Sequence, residues 1–463
     1  MTAPAPGAHV IADDAEALAV ARALAAEFRT GASARDAERR LPRPELDRLS
    51  ASGLLAVTVP AEHGGADVSA LTLAEIFRLL GAADASLAQI PQSHFAYVNV
   101  IRRQGTEEQR KFFFAELLAG RRFGNAQSEA GTRHVQDIRT RLEPRPDGSF
   151  TLTGVKHYCT GALFAHWIPV LARAADDRLH VAYVPADAPG VTVVDDWDGL
   201  GQRTTASGTV RLDAVQVPGD RVLPHHLTFE GPQLHGAVAQ LLHAAIDAGL
   251  AAGALAEAAE FVRTTSRPWF ESGAETAAGD PLLIQRFGEL SLEVRASEAL
   301  LREAARTVDA AAARLDDDTA AEASLAVAAA KVQAARAAVE VSSALFEVSG
   351  TRSALASLNL HRHWRDARTH TLHDPTRWKI QHLGPLFRIL PRVAGSGTRS
   401  PRGGTPSGVV VGCQLPHARL RSRGGTPIAL PPSSALQLHA PDPARARRGG
   451  TVTWSRPDPK ERP

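Results

Sequence analysis

His370 and His373 stand three residues apart in the run His370-Thr371-Leu372-His373-Asp374-Pro375-Thr376. Near a helix end that spacing can put both rings on one face. An imidazole changes charge near neutrality, so the pair suits proton donation or abstraction. A helix C-terminal histidine or a surface pair is the plain alternative. A metal site is a third reading, but no nearby cysteine or third carboxylate completes a ligand set. His94 and Tyr97 make a second polar group, in Ser93-His94-Phe95-Ala96-Tyr97, and Tyr97 is one of only three tyrosines. His94 reads equally well as a core histidine beside a packed aromatic. Asn125, Ser128 and Thr160 offer short polar side chains in loop segments, where turn chemistry uses the same residue types. Cys159 has no activating base in view, so it reads as a small buried residue and not as a nucleophile.

These groups are spread over most of a chain of 463 residues, so several elements must bring them together. Residues 13–28 are Ala-rich with apolar positions on one face. Pro44 suits the first turn of a second helix, residues 71–80 resume the helical period, and Thr106 with Gln109 forms a capping box before residues 112–118. The texture changes near Asn125. Residues 149–158, 179–184, 191–194 and 208–217 read as strands bounded by Pro, Gly or Asp. From about residue 232 the chain is helical again, with long Ala/Leu-rich stretches at 238–262, 281–308 and 319–346, as in antiparallel bundles. The order predicts an α+β multidomain chain: an N-terminal helical domain over residues 1–124, a middle β-barrel domain over 125–231 and a C-terminal four-helix bundle over 232–390. Strands and helices do not alternate, so a Rossmann sheet is excluded. Neither G-x-G-x-x-G after a strand nor G-x-x-x-x-G-K-[ST] occurs.

Composition narrows the class further. With 44% hydrophobic and 22% charged residues the chain is ordinary for a globular protein. Two cysteines, Cys159 and Cys413, exclude a disulfide scaffold and a multi-cysteine zinc module. No secretory signal and no membrane span is expected, which points to the cytoplasm. The formal charge of +2 hides a tail, residues 391–463, that carries twelve Lys/Arg against three Asp/Glu and leaves −7 on the first 390 residues. Nucleic acid is therefore not an expected partner of the folded part. The tail repeats Arg402-Gly403-Gly404-Thr405-Pro406 as Arg423-Gly424-Gly425-Thr426-Pro427 and sustains no apolar period. It reads as disordered, either a solvated tail or a translated frameshift, with an Arg-Gly nucleic-acid arm as the sharper alternative.

Four segments in this order resemble the acyl-CoA dehydrogenase superfamily: Val59-Pro60-Ala61-Glu62-His63-Gly64-Gly65, Asn125-Ala126-Gln127-Ser128-Glu129, Gly154-Val155-Lys156-His157-Tyr158-Cys159-Thr160-Gly161 and Trp364-Arg365-Asp366-Ala367-Arg368. The resemblance covers about residues 15–385. Two departures set the chain apart from its dehydrogenases. Asp374 stands in place of a late glutamate base and is followed by proline, and the loop after Ser128-Glu129 reads Ala130-Gly131-Thr132-Arg133. With Asp198-Gly199-Leu200-Gly201-Gln202-Arg203 and Arg267-Pro268-Trp269-Phe270, these features are similar to the flavin-dependent monooxygenase branch, which includes the dibenzothiophene monooxygenase and sulfur-acquisition oxidoreductase groups.

That resemblance implies an oxidoreductase that takes reduced FMN from a separate NAD(P)H-dependent flavin reductase, with FAD as the alternative cofactor, and uses oxygen on a small organosulfur substrate. It implies a homotetramer or homodimer. By resemblance, Asn125, Ser128 and Thr160, with the backbone of Ala126, Gln127, Ser128 and Glu129 and that of Lys156 through Cys159 to Thr160, hold the flavin ring edge. Thr160 could also bond its N5. His94 and Tyr97 would line the substrate pocket, and His370 or His373 would contact the flavin. Arg267 would pair with a phosphate, with Arg263 competing, and Ser349, Gly350 and Thr351 would supply a glycine turn for a ligand, often a neighbouring subunit's, or a plain helix end. Two rivals stay open: an FAD-dependent acyl-CoA dehydrogenase with Asp374 as base, and a flavin-binding protein without turnover.

Overall fold

The computed structural model describes residues 7–384, so the basic tail lies outside the described residues. Six helices come first. α1 (Asp14–Glu38) starts where the Asp13 carboxylate accepts the Glu16 N–H, and it buries Ala17, Ala21, Leu24 and Phe28. It runs ten residues past the expected end and stops at Arg39, whose φ of 51° is left-handed. α2 (Arg43–Ala51) carries Pro44 in its first turn. α3 (Ala70–Ala83), α4 (Ala85–Gln89) and α5 (Gln92–Gln104) follow. α6 (Glu107–Leu118) begins at the expected capping box, with both reciprocal bonds of Thr106 and Gln109 formed.

The middle section is one curled sheet of seven strands: β1 (Arg141–Pro144), β2 (Phe150–Lys156), β3 (Trp167–Ala174), β4 (Leu179–Pro185), β5 (Val191–Val194), β6 (Thr209–Val217) and β7 (Val222–Leu223). The strand order is β5-β6-β2-β1-β3-β4-β7, antiparallel except between β1 and β3. β5 and β7 end the ladder, so the expected barrel takes the form of an open, curled sheet. Four strands match the alternation in the sequence. β3 does not alternate because Ile168 to Ala172 are all buried, and Pro169 within it argues against a strand. β1 and β7 are short and owe their form to pairing with β2 and β4.

α7 (His235–Thr264), α8 (Pro281–Ala313) and α9 (Asp317–Ser349) form the bundle, closed by the short α10 (Arg362–His370) and α11 (Thr376–Leu383). α7 is long and apolar enough to cross a membrane by length and composition, but 78% of its apolar window is buried within the protein. It is a core helix. One apolar cluster joins the first helices to the bundle through Phe28, Phe77, Leu80, Leu241, Ile246 and Val327. A second fills the sheet, and a third, around Phe113, Phe123 and Tyr183, joins α5 and α6 to it.

α7 can lie against α3 only because small residues face each other there. A Cβ on Gly249 would sit 2.3 Å from the Arg78 carbonyl oxygen, and one on Gly253 would sit 2.6 Å from that of Ala82. Gly249→Val should therefore destabilise the protein by about 1–3 kcal/mol or more through overpacking. Gly288→Ala, at an open position of α8, should raise stability by roughly 0.4–1 kcal/mol. Thermal unfolding of the two variants beside the parent checks both signs.

Candidate functional site

The first helices, the sheet and the bundle enclose a cleft of about 940 Å³, near the top of the roughly 300–1,000 Å³ range of ligand pockets. Gln92 and Tyr97 reach it from α5, and Asn125, Gln127, Ser128 and Thr160 from loops of the sheet. Gln240 and His243 reach it from α7, and His373, Asp374 and Trp378 from the segment around the start of α11. The structure thus gathers Tyr97, Asn125, Gln127, Ser128, Thr160 and His373 of the expected residues on one cavity.

Two arrangements set the polarity of this cavity. The Tyr97 hydroxyl donates to Asn125 Oδ1 at 3.3 Å, and burial pushes the phenol upward, so it stays a neutral donor. Thr160 opens a hydroxyl chain. Thr205 Oγ1 donates to the Gln202 carbonyl at 3.0 Å, Ser207 Oγ lies 2.8 Å from Thr205 Oγ1, and Thr160 Oγ1 lies 2.8 Å from Ser207 Oγ. Each hydroxyl has one hydrogen. With the Thr205 hydrogen spent on a carbonyl, Ser207 donates to Thr205 and Thr160 donates to Ser207. Thr160 therefore turns a lone pair, not a hydrogen, to the cleft.

His370 does not face the cleft. It is fully buried at the end of α10, where Nδ1–H donates to Asp247 Oδ1 at 2.6 Å and Nε2 lies 3.1 Å from His243 Nδ1. The other Asp247 oxygen accepts from Lys331 Nζ at 2.6 Å, and Lys331, Asp247 and His370 have no exposed side-chain surface. Burial alone would raise the Asp247 pKa, but Lys331 and His370 outweigh it and hold the carboxyl below its ordinary value. Burial, then His370 and Lys331, push His243 well below the usual imidazole value, so it is neutral. His373 packs on both rings, with centroids 5.2 Å from His370 and 5.4 Å from His243. Its Nδ1–H donates to the His370 carbonyl at 3.0 Å, which leaves Nε2 as an acceptor 3.4 Å from Gln89 Nε2. The protein packed around it and the His370 ring lower its pKa; because His373 is exposed to the cleft, water there moderates the effect.

Several expected residues stand elsewhere. His94 is a correction: Nε2–H donates to the Leu55 carbonyl at 2.8 Å and Nδ1 accepts the Phe123 N–H at 3.0 Å. Both nitrogens are spent on backbone, so the core reading of His94 is right. The side chains of Glu129 and Lys156 pair with each other at 2.7 Å, with exposures of 6% and 0%, so only their backbone is left for the role the resemblance implies. Ala126 is buried in a bridge to Val170. Cys159 is buried, its thiol pushed up to about 12 by burial, which fits the inert reading. Arg267 and Ser349 to Thr351 are absent from the cleft lining. They meet at the far end of the bundle, where Ser266 Oγ donates to the Ser349 carbonyl.

Sequence reasoning missed Asp247, Lys331 and His243. A signal existed, since Asp247 and Lys331 are lone charges in long apolar runs, a place charged residues occupy only when paired. Tyr158 was also missed. It holds a left-handed φ of 59° and puts an exposed ring 6.4 Å from that of Trp197 at the cleft. Such strain in a non-glycine residue is stored at functional sites.

Comparison with known proteins agrees with the geometry. Family models match residues 13–121, 123–215 and 241–378, described as the N-terminal, middle and C-terminal domains of acyl-CoA dehydrogenase. The chain is 35% identical to a dibenzothiophene monooxygenase of Rhodococcus erythropolis over 389 residues, 81% of this chain and 93% of the relative. It is 34% identical to the probable FMNH2-dependent monooxygenase SfnC of Pseudomonas putida over 378 residues, 80% and 93% of the two chains. FMN-bound TdsC of Paenibacillus sp. A11-2 superposes with a TM-score of 0.76 at 34% identity, covering 80% of this chain and 96% of that one. Methanesulfinate monooxygenase MsuC of Pseudomonas fluorescens does so with a TM-score of 0.75 at 32% identity, covering 81% and 97%.

The buried histidines also set a pH dependence. Burial lowers His94 and His235 to about 4 and His225 to about 3. Between about pH 6.5 and 4 the unfolded chain binds protons that the folded protein refuses, so stability falls on acidification. Asp366, raised to about 7 by burial and by Asp36, and Asp309, raised by burial, run the other way, but the lowered histidines, His166 and His373 among them, outnumber them. The thermal midpoint should hold level near pH 7 to 8 and fall steadily from about pH 6.5 towards 4, as followed by scanning fluorimetry in buffers of equal ionic strength.

Proposed function

The chain belongs to the acyl-CoA dehydrogenase family, and from that premise we propose that it is a monooxygenase that uses reduced FMN and oxygen on a small organosulfur compound. The observation that carries this reading is the state of the two candidate acid–base groups. Asp374, the only carboxylate lining the cleft among the described residues, lies 2.6 Å from Lys379 Nζ, whose side chain is 3% exposed. A carboxylate paired that closely is a poor base for removing a carbon-bound proton, the step a dehydrogenase requires. The neutral imidazole of His243 keeps Nε2 without a hydrogen-bond partner among the described residues, while His373 accepts only a long contact from Gln89 there.

The lining fits a flavin. The buried Oε1 atoms of Gln89 and Gln240 have no partner within the protein, and short polar side chains on rigid sheet loops face the same space. The lone pair of Thr160 suits an N–H. A reduced isoalloxazine carries one at N5 and an oxidised one does not, so the hydroxyl chain of Thr160, Ser207 and Thr205 favours the reduced form. FMN in that state supplies the two electrons and the oxygen activation, chemistry that belongs to the cofactor.

The protein's own part is proton placement. Lys331 keeps Asp247 ionised, and Asp247 takes the Nδ1–H of His370. His370 Nε2 then accepts from His243 Nδ1–H, and His243 Nε2 is left as a lone pair with no protein partner. One added proton reverses that bond: His370 Nε2–H donates to His243 Nδ1, and His243 Nε2–H points to the cleft as a donor. A proton can thus be taken up or delivered at His243 Nε2 while its charge rests beside Asp247.

Reduced FMN comes from a separate reductase, because the sequence carries no nicotinamide fingerprint. Arg267 and Ser349 to Thr351 would serve a flavin only through a neighbouring copy, in the dimer or tetramer expected from the family.

Three outcomes follow from this assignment. NADH alone should not reduce bound FMN at a useful rate, and a flavin reductase should restore turnover. Asp374→Ala should keep oxygenation of methanesulfinate. Asp247→Asn and His370→Ala should lower it about ten- to a hundredfold, the worth of one hydrogen bond to a charged group, with more reduced flavin lost to hydrogen peroxide. Product and peroxide assays after mixing enzyme, reduced FMN and oxygen test all three. Acyl-CoA oxidation that disappears in Asp374→Ala, without oxygenation, would establish the dehydrogenase instead.

A further inference from the structure

One end of the cleft is built differently from the flavin-facing side. It lies between α5 and α7, beside the short 3-10 turn His225–Phe229 that joins the sheet to the bundle. His225 lines it, is only 4% exposed, and has no hydrogen-bond partner at either ring nitrogen. Leaving buried polar atoms unpaired costs more than a hydrogen bond returns, so His225 is suited to bond a polar group that enters this end. His235 lines the same end, its ring centroid 6.1 Å from that of His225, with Phe229 packed on both. The Asn99 Nδ2 amide lies 3.4 Å from His235 Nδ1; that nitrogen is the acceptor, so His235 Nε2 carries the hydrogen.

Charge at this end has one sign. Among the described residues the only carboxylate lining the cleft, Asp374, belongs to the wall at α11 and is paired with Lys379. Arg103, close enough to His235 to lower its pKa, has a buried Nε with no partner and makes no ion pair among the described residues. The two imidazoles are themselves neutral, since burial lowers His225 to about 3 and His235 to about 4. Each therefore offers one N–H and repels no cation or anion.

We propose that His225 and His235 form a subsite for the oxygens of an anionic, already oxidised sulfur group, a sulfinate, and that the cleft selects this group over a flat thiophene. The proposal rests on the monooxygenase reading and names the substrate class within it. A sulfinate brings two acceptor oxygens and a negative charge to two N–H donors near an unpaired guanidinium. A thiophene sulfur in an aromatic ring is a poor acceptor and would leave both nitrogens of His225 unpaired. The phosphate of FMN shares the anionic chemistry and is the competing source, so the test must separate the two.

The test is equilibrium binding of methanesulfinate to the FMN-loaded protein by calorimetry, with FMN affinity measured separately by flavin fluorescence. His225→Phe should weaken methanesulfinate about ten- to a hundredfold, as expected for a lost hydrogen bond to a charged group. His225→Gln keeps an N–H donor and should recover most of that loss, which a purely structural role would not produce. FMN affinity should stay within about twofold in both variants. Unchanged methanesulfinate affinity in His225→Phe would overturn the subsite. So would loss of FMN in place of methanesulfinate, or tighter binding of dibenzothiophene than of methanesulfinate by the parent. The monooxygenase reading fails in a separate way, by methanesulfinate binding without oxygen transfer.

Discussion

A lysine and an aspartate with no exposed surface, Lys331 and Asp247, meet within uncharged runs of α9 and α7. Two charges taken out of water carry a desolvation cost that their attraction offsets only if the remaining lone pairs are also satisfied. Asp247 meets that condition with a third partner, His370, brought in by α10. The need to close this triangle fixes α10 against the bundle. The loop of the sheet that covers α10 is fixed in turn, since the Gln202 N–H donates to Asp366 and Arg365 donates to the Leu200 carbonyl. Replacing the triad with apolar residues could stabilise the bundle. Its presence is better explained by the orientation it gives His370 and, through it, His243.

The same logic of direction runs through the rest of the site. A carbonyl at Gln202 orients Thr205, which orients Ser207, which orients Thr160. A carbonyl at His370 orients His373. Backbone carbonyls cannot reverse, so every polar group that depends on them has a fixed sense. The cavity consequently presents a lone pair at Thr160, a switchable donor at His243, and N–H groups at the His225 end. That division matches a reaction in which cofactor and substrate bring different hydrogen-bonding faces.

Much of this was legible in the sequence, and the failures have physical causes. The order of helices, strands and helices followed from periodicity, and the capping box at Thr106 followed from two residues. The cleft side chains Asn125, Ser128 and Thr160 lay within the segments that carried the family resemblance, and Tyr97 and His373 stood out by residue type and spacing. His94 misled because a histidine beside aromatics looks the same whether its nitrogens meet a ligand or the backbone, and only the fold shows Leu55 and Phe123 against it. The side-chain pairing of Glu129 with Lys156 was not legible because 27 residues separate partners that adjoining segments bring together. Asp247, Lys331 and His243 were hidden because their meaning is tertiary, with 84 residues between the lysine and the aspartate and 123 between the aspartate and His370.

The most direct measurement is isotopic. The protein, supplied with reduced FMN and methanesulfinate, is exposed to oxygen-18 gas in unlabelled water, and the sulfur product is weighed by mass spectrometry. The account expects methanesulfonate carrying one oxygen-18 atom, the second atom of dioxygen leaving as water and the two electrons coming from FMN. Unlabelled product, or no product while an acyl-CoA is oxidised, would contradict it.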